Sequence, residues 1–335
     1  MKTYNIGIVG ASGAVGTEML QCLKNLNISV WELRLGWSAR SAWKSITTPF
    51  GDIIVKEVKD DFFTWLDYVL LAAGGNISKQ YADIAVEAGA IVIDNSSAFR
   101  YDDEVPLVIP QINADSIGDA KIIANPNCTT AIAAVVLHPI YKKYGINKLI
   151  MSTYQATSGA GAPGMTELLE NTEKYFKKED PKVEIFSHNI AFNVIPHIDA
   201  FQENGYTKEE MKVTWETHKI FWDTSIAISC TAVRIPTLRA HSEAVVLETK
   251  LPVDIDDIKN ILSSSSGVEL VDDIENNIYP MPLNASGKND VEVWRVRRNL
   301  VFWDHGLELF ISWDQLLRGA ALNAVEILQA CINNR

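Results

Sequence analysis

At 335 residues, 47% hydrophobic and 21% charged, the chain has the composition of a globular protein and exceeds one ordinary core, so two domains are expected. A formal net charge of -12 argues against nucleic acid or an anionic membrane as partner, and means that any anionic ligand must be met by locally gathered cations. Four scattered cysteines, Cys22, Cys128, Cys230 and Cys331, show no C-x-x-C spacing, which points to a reducing, cytoplasmic setting and excludes a disulfide framework or a cysteine-based metal site.

Met1 to Tyr4 runs into a strand without a signal-type apolar region, and no apolar stretch reaches the ~18 residues of a membrane span. Asn5-Ile6-Gly7-Ile8-Val9 reads as a buried strand. It enters the turn Gly10-Ala11-Ser12-Gly13-Ala14-Val15-Gly16, after which Thr17 to Leu23 is apolar at helical spacing. Strand, glycine turn and helix are the layout in which N–H groups at a helix start cradle a pyrophosphate. The spacing is G-x-x-G-x-x-G, so its position at the head of the chain carries the reading more than the pattern does.

The next strand, Val30 to Leu35, ends without the acid that NAD-binding folds place against the ribose, and Glu32 comes too early. Ser38, Arg40 and Ser41 suit a 2′-phosphate instead, which favours NADP; a solvated loop arginine is the alternative. Asp67 to Gly75 is a strand ending in small residues, Ala73 and Gly74 among them, where a flat ring can approach the backbone. A helix over Ser78–Ala88 and a strand over Ala90–Asp94 follow. The polar loop Asn95–Arg100 then sets Arg100 after a strand's carboxyl end, where open α/β sheets bind ligands. Val105–Pro110 and Lys121–Ala124 read as further strands.

Asn125-Pro126-Asn127 then leads to Cys128, which opens an apolar helical run to Tyr141. At a helix start the sulfur faces unpaired N–H groups and the positive end of the dipole, conditions under which thiol pKa values fall to about 3.5–7.5. A small buried filler is the alternative for the cysteine alone.

Beyond Cys128 the chain reads as a strand over Leu149–Thr157, a loop Ser158–Gly161, and a helix from about Pro163. A solvated excursion follows at Phe176–Lys182, then a helix over Lys208–Lys219 and antiparallel strands over Ile226–Arg234 and Ala244–Lys250. His241 falls in a polar loop between those two strands. Trp313–Ile332 reads as one long amphipathic helix. The expected fold is α/β: a doubly wound Rossmann parallel sheet over 1–127 with 314–335, and an α+β catalytic and dimerisation domain with a mixed or antiparallel sheet over 128–313. A nicotinamide site, one cysteine at a helix start and one downstream histidine suggest thiolate addition to an acyl group or aldehyde coupled to hydride transfer. No metal-ligand cluster appears.

The motifs GIVGASGAVG (7–16), SARSA (38–42), LAAGGNISKQYA (71–82), DNSSAFR (94–100), NPNCTT (125–130), TYQATSGAG (153–161), ETHKI (216–220), RIPTLRAHSEAV (234–245) and LRGAALNAVEI (317–327) span nearly the whole sequence. In these the chain resembles the bacterial aspartate-β-semialdehyde dehydrogenase family. The resemblance implies NADP-dependent reduction of L-aspartyl-4-phosphate to L-aspartate 4-semialdehyde and the reverse, phosphate-dependent oxidation. Cys128 would carry the acyl thioester, His241 act as acid/base, and Gln155 orient the intermediate. Arg234 and Glu216 would hold substrate, Arg100 and Lys219 phosphate, and Ser38, Arg40 and Ser41 the 2′-phosphate. The same resemblance puts Gly10, Ala11, Ser12, Gly13, Ala14, Val15, Ala73, Gly74, Ser158, Gly159 and Gln315 against the cofactor, and implies a homodimer or homotetramer. Trp43 and Ala240 stand where the family usually has glycine, and Gln111 where it commonly has glutamate. Alternatives are a related reductase of N-acetylglutamyl phosphate, a catalytically inactive paralogue and an NADP-binding regulatory module.

Overall fold

Ile6 and Ile8, wholly buried, place β1 (Tyr4–Val9) at the heart of the first sheet. In the computed structural model, which describes residues 2–38 and 43–334, β1 is followed by α1 (Ala14–Asn25), β2 (Val30–Trp37), a hairpin of β3 (Ser45–Thr48) and β4 (Gly51–Ile54), and β5 (Lys56–Glu57). Then come β6 (Tyr68–Leu71), α2 (Gly75–Glu87), β7 (Ile91–Asp94), α3 (Pro110–Asn113) and β8 (Ile122–Ala124). The sheet order is β5-β2-β1-β6-β7-β8, parallel throughout. Continuous apolar strands such as Tyr68-Val69-Leu70-Leu71 are what a parallel sheet covered on both faces requires. Phe62, Phe63, Ala82 and Ala85 pack on one side with Val69 and Leu71.

The second unit, Cys128–Arg318, holds α4 (Cys128–Tyr144), β9 (Ile146–Gln155), α5 (Gly161–Lys177), α6 (Lys208–Phe221), β10 (Ala227–Arg234) and β11 (His241–Thr249). It continues through α7 (Ile255–Ser264), β12 (Val268–Leu270), α8 (Pro282–Ala285), β13 (Val291–Arg298) and β14 (Gly306–Trp313). Its mixed sheet runs β10-β9-β11-β14-β13-β12. Strand β9 alternates from Leu149 on: Leu149, Met151, Thr153 and Gln155 are buried on one face, while Ile150 and Tyr154 on the other are 45% and 37% exposed. The helix α4, buried along Thr129–Leu137, lies within this unit's core. From Gly319 the chain belongs to the first unit again, ending in α9 (Leu322–Asn333).

Four sequence-derived elements differ. Val105–Pro110 is no strand; Pro106 and Pro110 lack an N–H, and the segment makes only a single bridge, Leu107 with Ala124. Strand β10 pairs in parallel with β9, which separates it from β11, so the two strands are not an antiparallel pair. The closing helix does not start at Trp313. That residue ends β14 opposite His241, Asp314 turns the chain by accepting from the Leu316 N–H, and a π-helical turn over Leu317–Ala321 precedes α9. His241 is not in a loop but opens β11 and is fully buried.

Two residues along β11 from His241, Glu243 stands opposite Thr153 and Ile311 with no exposed surface. Neither carboxyl oxygen has a hydrogen-bond partner among the described residues. Burial raises its pKa well above the ordinary value of 4.5, so the folded chain keeps this proton. Below the unfolded value both states are protonated and folding loses nothing. Above it the unfolded chain ionises freely, and stability falls by ~1.4 kcal/mol per pH unit until the folded pKa is passed. Glu243→Gln should therefore raise Tm at pH 8 and change it little at pH 4.5; an equal shift at both, read by calorimetry, contradicts a protonated Glu243.

Candidate active site

The site of the second unit is assembled where three strands end side by side. Arg234, last in β10, is paired with Gln155, last in β9, and His241 opens β11 one position beyond the Ser242–Tyr154 pair. One residue past β9, Ala156 serves both of its neighbours. Its N–H donates to His241 Nδ1 at 3.0 Å, and its carbonyl accepts from Arg234 Nη1 at 2.6 Å. The loop after β10 is tied to the same segment, with Ile235 N–H to Gln155 O at 3.0 Å, Thr157 N–H to Thr237 O at 2.9 Å and Ser158 N–H to Leu238 O at 3.1 Å.

Accepting through Nδ1 leaves the proton of a neutral imidazole on Nε2. That nitrogen is buried and has no partner among the described residues. Burial first, and then the charge of Arg234, lower the His241 pKa to about 3. At neutral pH the ring is thus an uncharged Nε2–H donor, whereas an unperturbed value near 6.5 is what the sequence suggests. Burial also lowers the Arg234 pKa, with Glu209 and Cys128 opposing that shift, so Cys128 lies within electrostatic reach of the guanidinium. Cys128 is the first residue of α4, half-buried, its sulfur 3.9 Å from Thr129 Oγ1.

Gln155 is held at both ends: its Nε2 donates to Glu209 at 3.1 Å and its Oε1 accepts from Thr153 Oγ1 at 3.0 Å. Glu209 also meets Lys212 at 2.8 Å, and Lys212 meets Asp199 at 2.8 Å. Burial works against the Lys212 ammonium, but these carboxylates outweigh it and raise its pKa. Helix α6, which carries Glu209 and Lys212, is fixed by a capping box. Glu210 accepts from the Thr207 N–H at 2.7 Å, and its other oxygen accepts from the Ala232 N–H of β10 at 2.9 Å. Glu216 is buried on this helix and Lys219 half-buried. Glu209 was not singled out from the sequence, although it lies seven residues before Glu216, on the same helical face.

Two residues expected at a cofactor also shape this site. Gln315 Nε2 donates to Ser158 Oγ, and Gln315 Oε1 accepts from the Ala240 N–H at 2.9 Å, holding the residue before His241. Ala240 sits at φ 66° and Trp43 at φ 71°, so both positions that depart from the family's glycine adopt the left-handed region. A Cβ on Gly159 would stand 2.6 Å from Arg234 Nη1 and 3.3 Å from His241 Nε2. Glycine there lets the Arg234 guanidinium and the His241 ring pack directly against the backbone.

The first unit carries the other expected residues. Gly10 has φ +92°, and a Cβ on it would meet the Ala72 carbonyl oxygen at 2.5 Å. Helix α1 starts at Ala14 with Gly13 as N-cap and no capping side chain, so its first-turn N–H groups stay available to an anion. Ala11 is buried, Ser12 exposed, and Ala14 and Val15 begin the helix. A cleft of about 510 Å³ is lined by Gly10, Ser38, Ala73 and Gly74. These features fit a dinucleotide. Arg40 and Ser41 lie outside the described residues. Arg100 spends Nε on Asn125 O at 2.8 Å and Nη2 on Asn95 O at 3.0 Å, which fixes the guanidinium at the carboxyl ends of β7 and β8.

Two family models match the chain. The family described as "Semialdehyde dehydrogenase, NAD binding domain" matches residues 5–120, and "Semialdehyde dehydrogenase, dimerisation domain" matches residues 137–318. Aspartate-semialdehyde dehydrogenase of Aquifex aeolicus is 44% identical over 334 residues, covering 98% of each chain. That of Bacillus subtilis is 44% identical over 338 residues, covering 98% of this chain and 97% of its own. The crystal structure of Vibrio cholerae aspartate semialdehyde dehydrogenase II complexed with ASA superposes with a TM-score of 0.96 at 40% identity, covering 99% of both chains.

Gly159→Ala should leave folding intact, because the added methyl meets the end of a functional side chain and not the scaffold. By displacing Arg234 and crowding His241 it should lower kcat/KM by about 10²-fold, the cost of a roughly 1 Å misplacement at a reacting centre. Steady-state kinetics with a melting curve check this; near-normal turnover would show that the packing of Arg234 and His241 on Gly159 does not matter to the reaction.

Proposed function

The chain belongs to the aspartate-semialdehyde dehydrogenase family, and we propose that Cys128, Gln155, Arg234 and His241 perform its reaction. That reaction is the reductive dephosphorylation of L-aspartyl-4-phosphate to L-aspartate 4-semialdehyde, and its reverse. The observation that carries the assignment is the double use of Ala156, which holds an arginine and a neutral histidine side by side, both packed against Gly159.

In the reductive direction the Cys128 sulfur adds to the acyl carbon, the carbon–oxygen bond to phosphate breaks, and a thioester remains on the chain. A reduced nicotinamide dinucleotide, when bound, supplies the hydride. His241 then offers its Nε2–H to the oxyanion that forms at the former carbonyl, and this hydrogen bond is worth most in a dry site. Collapse of that oxyanion breaks the carbon–sulfur bond and returns the thiolate. Gln155, locked by Glu209 and Thr153, orients the acyl group. Arg234 keeps donors beyond the one given to Ala156 and grips the substrate's α-carboxylate, while Glu216 takes the amine. Arg100 and Lys219 hold phosphate.

The coenzyme is assigned as NADP on Ser38, Arg40 and Ser41, and Gly10 to Val15 with Ala73 and Gly74 form its cradle. Ser158, Gly159 and Gln315 are assigned to the coenzyme as well. The half-exposed sheet face bearing Ile150 and Tyr154 is assigned to a second copy of the chain, giving a homodimer. N-acetylglutamyl phosphate is disfavoured, since that substrate has no free amine for Glu216.

Reduction of NADP by the purified protein with aspartate semialdehyde and phosphate tests the assignment; equal activity on N-acetylglutamate semialdehyde would overturn it. Cys128→Ser should bind cofactor yet lose turnover. Arg234→Lys should act chiefly on KM. The loss of a charge-assisted bond of ~1.5–3 kcal/mol corresponds to roughly 10- to 100-fold. An Arg234→Lys variant that lost kcat with unchanged KM would move this residue from substrate binding to the chemical step.

A further inference from the structure

Glu57 supplies a carboxylate to the cleft of the first unit that no step of the reaction uses. It ends β5, and the parallel register of β5 with β2 sets it beside Trp37; both residues line the cleft. One carboxylate oxygen, Oε2, is paired with Lys59 Nζ at 2.9 Å, and the side chain remains 32% exposed. The backbone around it is fixed: Val58 N–H donates to Trp37 O at 3.1 Å, and Val58 O accepts from the Tyr81 hydroxyl at 3.1 Å. The Trp37 ring lies within 3.5 Å of where a Cβ on Gly13 would be, so it reaches the start of α1.

The sheet order β5-β2-β1 gives the cleft a direction. A pyrophosphate belongs at the Gly10 turn after β1, and a ribose at the end of β2 beside Ser38. The base then lies one strand farther out, over the end of β5, among Trp37, Ile77, Val58 and Tyr81. Flat apolar walls receive any purine. A carboxylate at their rim distinguishes purines, because a 6-amino group donates to it and a 6-oxo group presents a lone pair. We propose that Glu57 accepts a hydrogen bond from the 6-amino group of the coenzyme's base, making this site selective for 6-aminopurine over 6-oxopurine dinucleotides. The inference rests on the reading of this unit as the dinucleotide site. The Lys59 pair occupies Oε2 and orients the carboxylate, which leaves Oε1 for the base.

Calorimetric titration of the full-length protein with NADP, NAD and their hypoxanthine counterparts tests this without turnover. The unaltered chain should bind the adenine forms roughly 10- to 100-fold more tightly, the range for a hydrogen bond to a charged group. Glu57→Gln, which offers both a donor and an acceptor, should bring the two bases to within about threefold. Its NADP-to-NAD ratio should stay as in the unaltered protein. Glu57→Leu should weaken adenine binding without improving hypoxanthine binding. An unchanged base preference in both variants overturns the proposal, as does a shift of the NADP-to-NAD ratio alone, which would place Glu57 at the ribose. If none of the four dinucleotides binds the unaltered chain, the dinucleotide reading itself fails.

Discussion

The N–H and C=O of Ala156 are the constraint from which the chemistry of the second unit follows. One backbone group decides which nitrogen of His241 carries its proton, and the other fixes the position of Arg234. Both side chains are almost fully buried, so losing either contact would strand a polar group out of water at a cost of about 1–3 kcal/mol. Ala156 can serve both because β10 and β11 flank β9 and end at the same level as it does. The bonds from Thr157 and Ser158 to the 237–238 backbone, and from Gln315 to Ala240, keep that end from fraying.

Low polarity then sorts the charges. Arg234 stays cationic because a guanidinium does not lose its proton in a protein, and Glu209 offsets its desolvation. His241, beside that cation and shut away from water, stays neutral. An imidazole in this state is a poor base but a well-aimed donor. Under the proposed function its part is to meet negative charge as it develops on the substrate oxygen, while the sulfur of Cys128 enters and leaves as thiolate. Protonating His241 would also set Nδ1–H against the Ala156 N–H, so the bond that fixes the tautomer works in the same direction as burial and Arg234.

Much of this was legible in the residues. The Gly10 to Gly16 turn after an apolar strand announced the parallel sheet, and Cys128 behind Asn125-Pro126-Asn127 announced a helix that starts with a thiol. Gln155, Arg234 and His241 were visible through the motifs TYQATSGAG and RIPTLRAHSEAV. What escaped notice depends on backbone or register. Ala156 acts through atoms that every residue has. Glu57 reaches the cofactor cleft only because a two-residue strand aligns it with Trp37. His241 reads as part of a loop because its neighbours Arg239 and Ser242 are polar, yet Ser242 is buried against Ser312 and the histidine opens a strand. Val105–Pro110 is the opposite case: its apolar residues read as a strand, but two prolines lack the donors that a ladder needs. Glu209 illustrates a third case: its spacing from Glu216 was available, but only the bond to Gln155 gives that spacing meaning.

The most direct test of this account is nitrogen NMR of the folded protein with ¹⁵N-labelled histidine, resolved for His241 by comparison with His241→Gln. At pH 7 the account predicts a neutral ring with a protonated Nε2, an unprotonated Nδ1 and shifts that do not move between pH 5.5 and 8. A protonated Nδ1, or an imidazolium titrating near 6.5, would contradict it and return His241 to the role of a proton-shuttling base.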